Sequence, residues 1–582
     1  MPYDIIVGRS ESDKKAFGDK GLIKVGKGYV HMGQYTSLSN PIWLDVARSH
    51  VILVAGKRGC LTEDTFVFTD KGYKKINDFD KKLDKVLSFN KDNKKFEWEN
   101  ADLLEYSIKN EELFEIELID GRKIKLTKEH PLLSSDVKGN NLSWLKAIEL
   151  KKGNFLLSVD KKDINKLIPI KINSIKKISG IKKVYDLSVD KNHSFIANGI
   201  ISHNSGKSYT LGVIAEEISS LPEEVRQNIA PLIFDTMGIY WTMKYANEKE
   251  KHLLSEWDLK PQELPVKVFA PFGYFEDYQN RGIPVDEPFA LKVSEMNAED
   301  WILMFGLEMI NPVSVLIQRV LFKLKQEREN FDLLDVIDVL AQDKNSSVEN
   351  KNAAIGLFEG AMTWGLFAMG KQKGTQIKDL LTAGTTSVLD LSAYNSVGAF
   401  NVRALIIGLV SRKLFNERMS ARKAEEVEAV RHGVDYLSYQ GKRKTPLVWI
   451  LIDEAHEFLP RTGKTSATDA LVQLLREGRQ PGVSLVLATQ QPGEIHKDVM
   501  TQSDVVISHR LTAAPDMEAL NKIMQSYLLE GIKQSIDDLP NLKGSAIILD
   551  DNSERLYPMR VKPRFTWHGG EAPTAIKVEK RF

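Results

Sequence analysis

The chain of 582 residues holds a single cysteine, Cys60. One thiol excludes an internal disulfide and any metal site built from several cysteines, so a reducing compartment is expected. Long apolar runs are also missing. The most hydrophobic stretches, RALIIGLV and PLVWILID, are far shorter than the roughly 20 residues that cross a bilayer, and no signal-peptide pattern opens the chain. A cytoplasmic protein without membrane insertion is expected. Nor is there an excess of either charge: 80 Lys and Arg face 79 Asp and Glu, so no global basic field marks a polyanionic partner. What remains is an apolar fraction of 42%, which suits several globular domains of ordinary size.

What is present is a broken motif. VILVAGKRGC, residues 51–60, reads as an apolar strand entering a Gly-rich turn, as a phosphate-binding loop does, but stops short of its Gly-Lys-Ser. The missing half stands in HNSGKSYTLGVIAEE, where Ser205, Gly206, Lys207 and Ser208 open a helical stretch. Joining Gly59 to Ser205 yields AGKRGSGKSYT, a complete G-x-x-x-x-G-K-S between a strand and a helix.

The intervening residues, 60–204, are Lys-rich and made of short alternating segments: DTFVFTD, LFEIELIDG, RKIKLTKEH, KVYDLSVD and HSFIANGIISHN. With their Asp-Gly and Asn-Gly turn signals they predict a compact all-β module unlike the helix-rich flanks. The module resembles an intein of the protein-splicing family, with a Hint-type fold. Cys60 with LTEDTFVFTDKG matches the family's start. GRKIKLTKEHP supplies its Thr-x-x-His at Thr127 and His130, and VYDLSVDKNHSFIANGIISHN followed by Ser205 matches its end. Only about fifty residues separate His130 from Val184, without a homing-endonuclease motif, so the likeness is to a mini-intein.

Peptide bonds are planar and resist cleavage. The resemblance implies that the Cys60 sulfur attacks the carbonyl of Gly59 to give a thioester, Cys being the best side-chain nucleophile near neutral pH. Thr127 and His130 would hold that amide, with His130 protonating the departing nitrogen. The Ser205 hydroxyl then takes over the acyl group as a branched ester. Asn204 cyclises onto its own carbonyl, aided by His203 and His193, and the ester rearranges to an amide between Gly59 and Ser205. Asp186 either coordinates these steps or is an ordinary strand carboxylate.

The flanks, read as one chain, alternate apolar strands with helical patterns, which predicts an α/β fold with a mostly parallel sheet. HVILVAG, APLIFDT, TTSVLDLS, LVWILIDEAHEF, VSLVLATQQP, DVVISHRL and GSAIILDD are the strand candidates. In the rejoined loop, Gly56, Lys57, Arg58, Gly59, Ser205 and Gly206 wrap the phosphates of ATP, Lys207 neutralises the β and γ oxygens, and Ser208 ligates Mg²⁺. WILIDEAH delivers Asp453 to the metal through water and Glu454 to the attacking water, and Gln490 in VLATQQP suits a γ-phosphate sensor. Three regions result: 1–59 with the first half of the loop, 60–204 the insert, and 205–582 the rest of the ATPase, with a last strand and tail from about 544.

These residues resemble the HerA/FtsK group of P-loop ATPases, HerA-like archaeal ATPases above all, through GKGYVHMGQYTSLSNPIWLDVARSHVILVAG, DEAHEFLP, REGRQPGVSLVLATQQP and VKPRFTWHGG. The resemblance implies a RecA-like core, a homo-hexameric ring translocating on duplex DNA as a helicase, and in archaea a NurA-type nuclease partner. Arg510 matches a cis arginine, while Arg48 and Arg479 are candidates for reaching a neighbouring subunit. For each, a surface or core role stands equally open. The fifty or so residues before the P-loop strand are too few for the full N-terminal barrel of HerA proteins, which puts nuclease coupling in doubt. Charge does not add to the DNA assignment: the insert holds 27 basic and 23 acidic residues, leaving the flanks slightly acidic. Two alternatives stay open, a secretion- or conjugation-type motor at a membrane complex, and an ATPase with a permanent β insert.

Overall fold

The computed structural model describes residues 4–32, 35–56, 61–80, 83–90, 95–99, 101–107, 113–127, 130–137, 143–147, 150–159, 167–178, 183–189, 194–203, 207–370, 372–394, 400–432, 443–509, 520, 539–540 and 544–569. Two sheet systems form, and no strand is shared between them.

The flanks build a sheet of thirteen described strands: β1 (Ile5–Val7), β2 (Leu22–Met32), β3 (Tyr35–Asp45), β4 (Val51–Ala55), β5 (Ile229–Asp235), β6 (Val266–Pro271), β7 (Glu287–Phe289), β8 (Thr386–Asp390), β9 (Leu447–Ile452), β10 (Val483–Thr489), β11 (Val505–His509), β12 (Ser545–Asp550) and β13 (Arg555–Val561). Their order is β1-β3-β2-β13-β12-β11-β4-β10-β9-β5-β8-β6-β7. From β11 to β7 every pairing is parallel, so the mostly parallel α/β sheet expected from the apolar runs is what forms. All seven strand candidates lie in it.

Each of these strands is apolar on both sides because helices cover both faces. Along β4, Val51, Leu53 and Ala55 enter one core, while Ile52 and Val54 enter the other. The first core is closed by α3 (Pro312–Glu327), α4 (Leu333–Gln342), α5 (Val348–Met362), α6 (Phe400–His432) and α7 (Thr468–Glu477). The second is closed by α2 (Lys207–Ser219), through Leu211, Val213, Ile214, Ala215 and Ile218. The mixed-sign stretch RKAEEVEAVRHG continues α6 as a helix, with Arg422 and Glu426 paired across one turn.

The residues before β4 do not make a separate barrel. The short helix α1 (Glu11–Phe17) and β1 to β3 extend the main sheet, because β2 pairs antiparallel with β13 from Gly26 to Gly28. A buried ion pair of 2.5 Å between Arg9 and Asp45 fastens this extension.

The insert makes the second system, fifteen described strands with no α-helix among its described residues. Its two apolar clusters draw only on residues between Leu61 and Ile201, and neither main core contains any of them. It therefore possesses its own core, as an independently folding module must.

Candidate functional site

The insert's two ends meet at one turn. Leu61, the first described residue after the upstream junction, pairs with Leu126 on one side and with Tyr185 on the other. Ser202, near the downstream junction, pairs with Leu132. The strands carrying Leu126 and Leu132 are joined by the turn from Thr127 to Pro131, where the backbone N–H of His130 donates to the Thr127 carbonyl at 3.0 Å. Thr127 and His130 are both buried. The antiparallel register thus brings both junctions to the residues singled out from Thr-x-x-His. Asp186 follows Tyr185 on the strand Lys183–Val189 and pairs with Leu104, and His203 pairs with Ser194. Cys60, His193, Asn204, Ser205 and Gly206 lie outside the described residues.

The second site lies at the C-terminal edge of the parallel sheet, where open α/β sheets bind ligands. Of the loop, Lys57, Arg58 and Gly59 lie outside the described residues, as does Arg510. Gly56 is in place: its N–H donates to the Thr489 carbonyl at the end of β10, 3.3 Å away. Lys207 begins α2. One residue later the Ser208 hydroxyl donates to the Asp453 carboxylate at the end of β9. The buried Tyr240 adds a second tie by donating its hydroxyl to the Ser208 carbonyl at 3.1 Å. A hydroxyl and a carboxylate side by side form an all-oxygen donor set of the kind Mg²⁺ takes.

Glu454 follows in a left-handed conformation, φ 49° and ψ 43°, which a non-glycine residue adopts at a cost of about 1 kcal/mol or more. Gln490 Nε2 donates to its Oε1 at 2.5 Å. The other oxygen, Oε2, is buried and makes no hydrogen bond among the described residues, although His456 Nδ1 stands 3.5 Å away. His456 also lies 3.2 Å from the Thr489 hydroxyl. A carboxylate oxygen held in this way is free to accept from a water molecule.

Two carboxylates that the sequence reading passed over stand beside Asp453. Asp235 ends β5, Asp390 ends β8, and the two are partners in the parallel register; Phe234 pairs with Ile452, which places Asp235 beside the end of β9. Burial and the neighbouring Asp390 push Asp235 up to about 8, although it accepts from the N–H groups of Met237, Gly238 and Tyr240. That acceptance shapes the turn carrying Tyr240. The signal was available: APLIFDT and TTSVLDLS each bring an Asp to a strand end, as LVWILIDEAH does.

The arginine candidates sit elsewhere. Arg48 precedes β4, at the opposite edge of the sheet, where it pairs with Asp13 at 2.7 Å and stacks over Phe17. Arg479 lies at the same edge, donating to the Gln502 carbonyl at 2.5 Å. Neither approaches the Asp453 edge of its own chain.

A clamp not anticipated from the sequence grips α2 from behind. Glu216 and Arg564 form an ion pair of 2.7 Å with neither side chain exposed. Glu216 also accepts from the Phe565 N–H at 3.1 Å and from the Thr566 hydroxyl. The Arg564 N–H donates to Tyr209 at 2.7 Å. Gly212 makes room: a Cβ there would stand 2.6 Å from the guanidinium carbon of Arg564. The VKPRFTWHGG tail is thereby fixed to the helix that follows the insert.

Comparison with known proteins separates the two systems at the same place. The intein splicing domain matches residues 66–204, and the central domain of helicase HerA matches residues 205–410. Over 141 residues the chain is 27% identical to the DNA double-strand break repair helicase HerA of Pyrococcus furiosus, covering 24% of each chain. Over 186 residues it is 25% identical to the probable DNA double-strand break repair helicase HerA of Methanocaldococcus jannaschii, covering 29% of this chain and 36% of the relative. The chain spans about a quarter to a third of the length of these curated relatives. Among solved structures, the DnaX mini intein from Spirulina platensis is 30% identical, with 25% of this chain and 99% of that one covered and a TM-score of 0.22. A DnaB intein from Synechocystis is 23% identical over the same shares, also at 0.22. The chain carries, in series, an intein splicing domain and the central domain of the HerA helicases.

Proposed function

We propose that the chain is the precursor of an ATP-driven motor, and that its insert excises itself to complete the motor's phosphate-binding loop. Cys60 Sγ forms a thioester with the Gly59 carbonyl carbon while the Cys60 nitrogen leaves as an amine that His130 protonates. Ser205 Oγ displaces the thiolate, giving an ester. The Asn204 side-chain nitrogen attacks its own carbonyl, which breaks the bond to Ser205 and leaves a succinimide on the insert. The freed Ser205 amine then takes the acyl group from its own oxygen. The convergence of both junctions on the Thr127–Pro131 turn carries this reading.

In the ligated product Gly59 and Ser205 sit at the roughly 3.8 Å Cα spacing of a trans peptide, and the backbone N–H groups of the loop face the ATP phosphates. Ser208 and Asp453 would hold Mg²⁺, which draws charge from the phosphate oxygens. Glu454, with Oε1 occupied by Gln490 and Oε2 left over, orients and deprotonates the attacking water. Before ligation that cradle is incomplete, so the precursor neither hydrolyses ATP nor assembles. The relatives' names support duplex DNA as the track and a homo-hexameric ring as the working form. Either Arg48 or Arg479, both outward at the opposite edge, completes a neighbouring subunit's site, and a NurA-like nuclease is a candidate partner. A secretion- or conjugation-type motor is the competing reading; among the described residues no helix is long and apolar enough to cross a membrane.

The experiment is expression of the full chain, mass analysis of its products, and ATP turnover of the ligated host with and without duplex DNA. A free insert, a ligated host and DNA-stimulated turnover are expected. A single unspliced product with full turnover would overturn the splicing reading, and turnover indifferent to DNA would favour the competing motor.

A further inference from the structure

The phosphate-binding loop is severed by the insert, yet both of its stumps are already tied to the same edge of the host sheet. On the upstream side Gly56 is bonded to Thr489 of β10. On the downstream side Ser208 is bonded to Asp453 after β9 and to Tyr240 after β5. β10 and β9 are neighbours in the sheet, so the two ties lie one strand apart. The helix behind Ser208 cannot drift, because the Glu216–Arg564 pair fixes it from its buried side.

Three residues separate Gly56 from the reacting Gly59 carbonyl, and three separate Ser208 from the reacting Ser205 hydroxyl. At about 3.3–3.6 Å per residue each arm reaches only about 10–11 Å. An acyl transfer needs its atoms about 3–3.5 Å apart, and a misplacement of 1 Å can cost on the order of 10²-fold in rate. Two short arms fixed one strand apart keep electrophile and nucleophile within such reach, independently of what the insert does.

We propose that the folded host positions the reacting ends of its own insert, with Ser208 and Asp453 acting as positioning residues for the ligation step. The proposal rests on the splicing reading above and adds a dependence on residues that take no part in the bond changes. The step assisted is the attack of Ser205 Oγ on the Gly59 thioester, with the acyl group passing to oxygen and the thiol of Cys60 released. Thioester formation at Cys60 depends on the insert's own Thr127 and His130 and is left as it was. The same serine and aspartate thus serve two reactions in turn, first the closure of the loop and later the nucleotide chemistry in the closed loop.

The test follows ligation in the full-length chain after a pulse of synthesis, for the wild type, Ser208→Ala, Ser208→Thr, Asp453→Ala and the Ser208→Ala/Asp453→Ala pair. Cleavage at Cys60 by added dithiothreitol reports thioester formation separately. Ser208→Ala and Asp453→Ala should each slow ligation roughly 10-fold, with the double variant no slower than either, because both remove one interaction. Ser208→Thr keeps the hydroxyl and should ligate at the wild-type rate. Thiol cleavage should match wild type throughout. Ligation at the wild-type rate in both alanine variants overturns the proposal, as does a double variant whose slowing is the product of the two. Slowing by Ser208→Thr equal to that of Ser208→Ala, or a parallel loss of thiol cleavage, also overturns it, since either marks general damage to folding. If the wild type yields no ligated host at all, it is the splicing reading that falls.

Discussion

The insert and its host solve the same problem, a reaction at a chain junction or a phosphate, with opposite geometries. The insert is local: its two ends come back to one turn, Thr127–Pro131, and its cores contain nothing beyond its own residues. The host is dispersed: its site gathers Gly56, Ser208, Tyr240, Asp453 and Thr489 from four strands and a helix spread along most of the chain. A module that closes on itself can be placed inside another domain without disturbing it, and a dispersed site can be cut at one loop while its other members stay in place. The contrast explains how a fold can tolerate an interruption at its most sensitive position.

The sharpest way to break the comparison is at the junctions. Cys60→Ala should abolish ligated host, and Asn204→Ala should leave the insert attached; mass analysis of fresh product decides, and normal ligation by Cys60→Ala would remove the insert's assigned chemistry. The next effect is confined to the host. Glu454→Gln in ligated protein should keep ATP binding and lower turnover by at least about 10²-fold, while Lys207→Ala should weaken binding as well, as read by nucleotide titration and phosphate release.

A third experiment asks whether the two cores are separate in energy. Arg564→Met leaves Glu216 buried without its partner, which costs about 3–5 kcal/mol. In a precursor locked by Cys60→Ala and Asn204→Ala, calorimetry should show the host transition lowered by roughly 5 °C or more and the insert transition unmoved. A shared shift would mean that the two regions unfold as one.

The smallest effect concerns pH. Burial works against a charge on His50, but hydrogen bonds with Asp45 and Asp504 outweigh it and raise the imidazole to about 9. A folded-state value above the unfolded one, near 6.5, means that this stabilisation is fully present below about pH 6.5 and is lost as pH rises through 9. The host's unfolding midpoint should therefore decline across that window, and His50→Gln should flatten the decline without touching the insert. An equal slope in the variant would assign the dependence to other groups.

Local patterns were legible in the sequence and long-range partnerships were not. The seven apolar runs all became strands of the main sheet, and Thr127 and His130 were visible because their spacing is that of one turn. The acids Asp235 and Asp390 gain meaning only from strand order, which sets β5 between β9 and β8. Arg564 lay in plain view within VKPRFTWHGG, but its partner Glu216 is 348 residues away. Arg48 was weighed as a residue reaching outward, and the structure adds Asp13 of α1, a neighbour that no spacing rule announces.

The place of β4 between β10 and β11 has a consequence for the order of events during synthesis. Strand β4 is made early, yet neither neighbour exists until Val483 and Val505 have been reached. The insert needs nothing beyond His203 for its own pairings. At about 5–20 residues per second, roughly 300 further residues occupy the ribosome for about 15–60 seconds. The insert is thus finished and waiting while the first half of the loop still has no sheet to join. The last strands to emerge set the moment at which the two stumps are brought together, so the ribosome's progress acts as a clock for the closing of the loop.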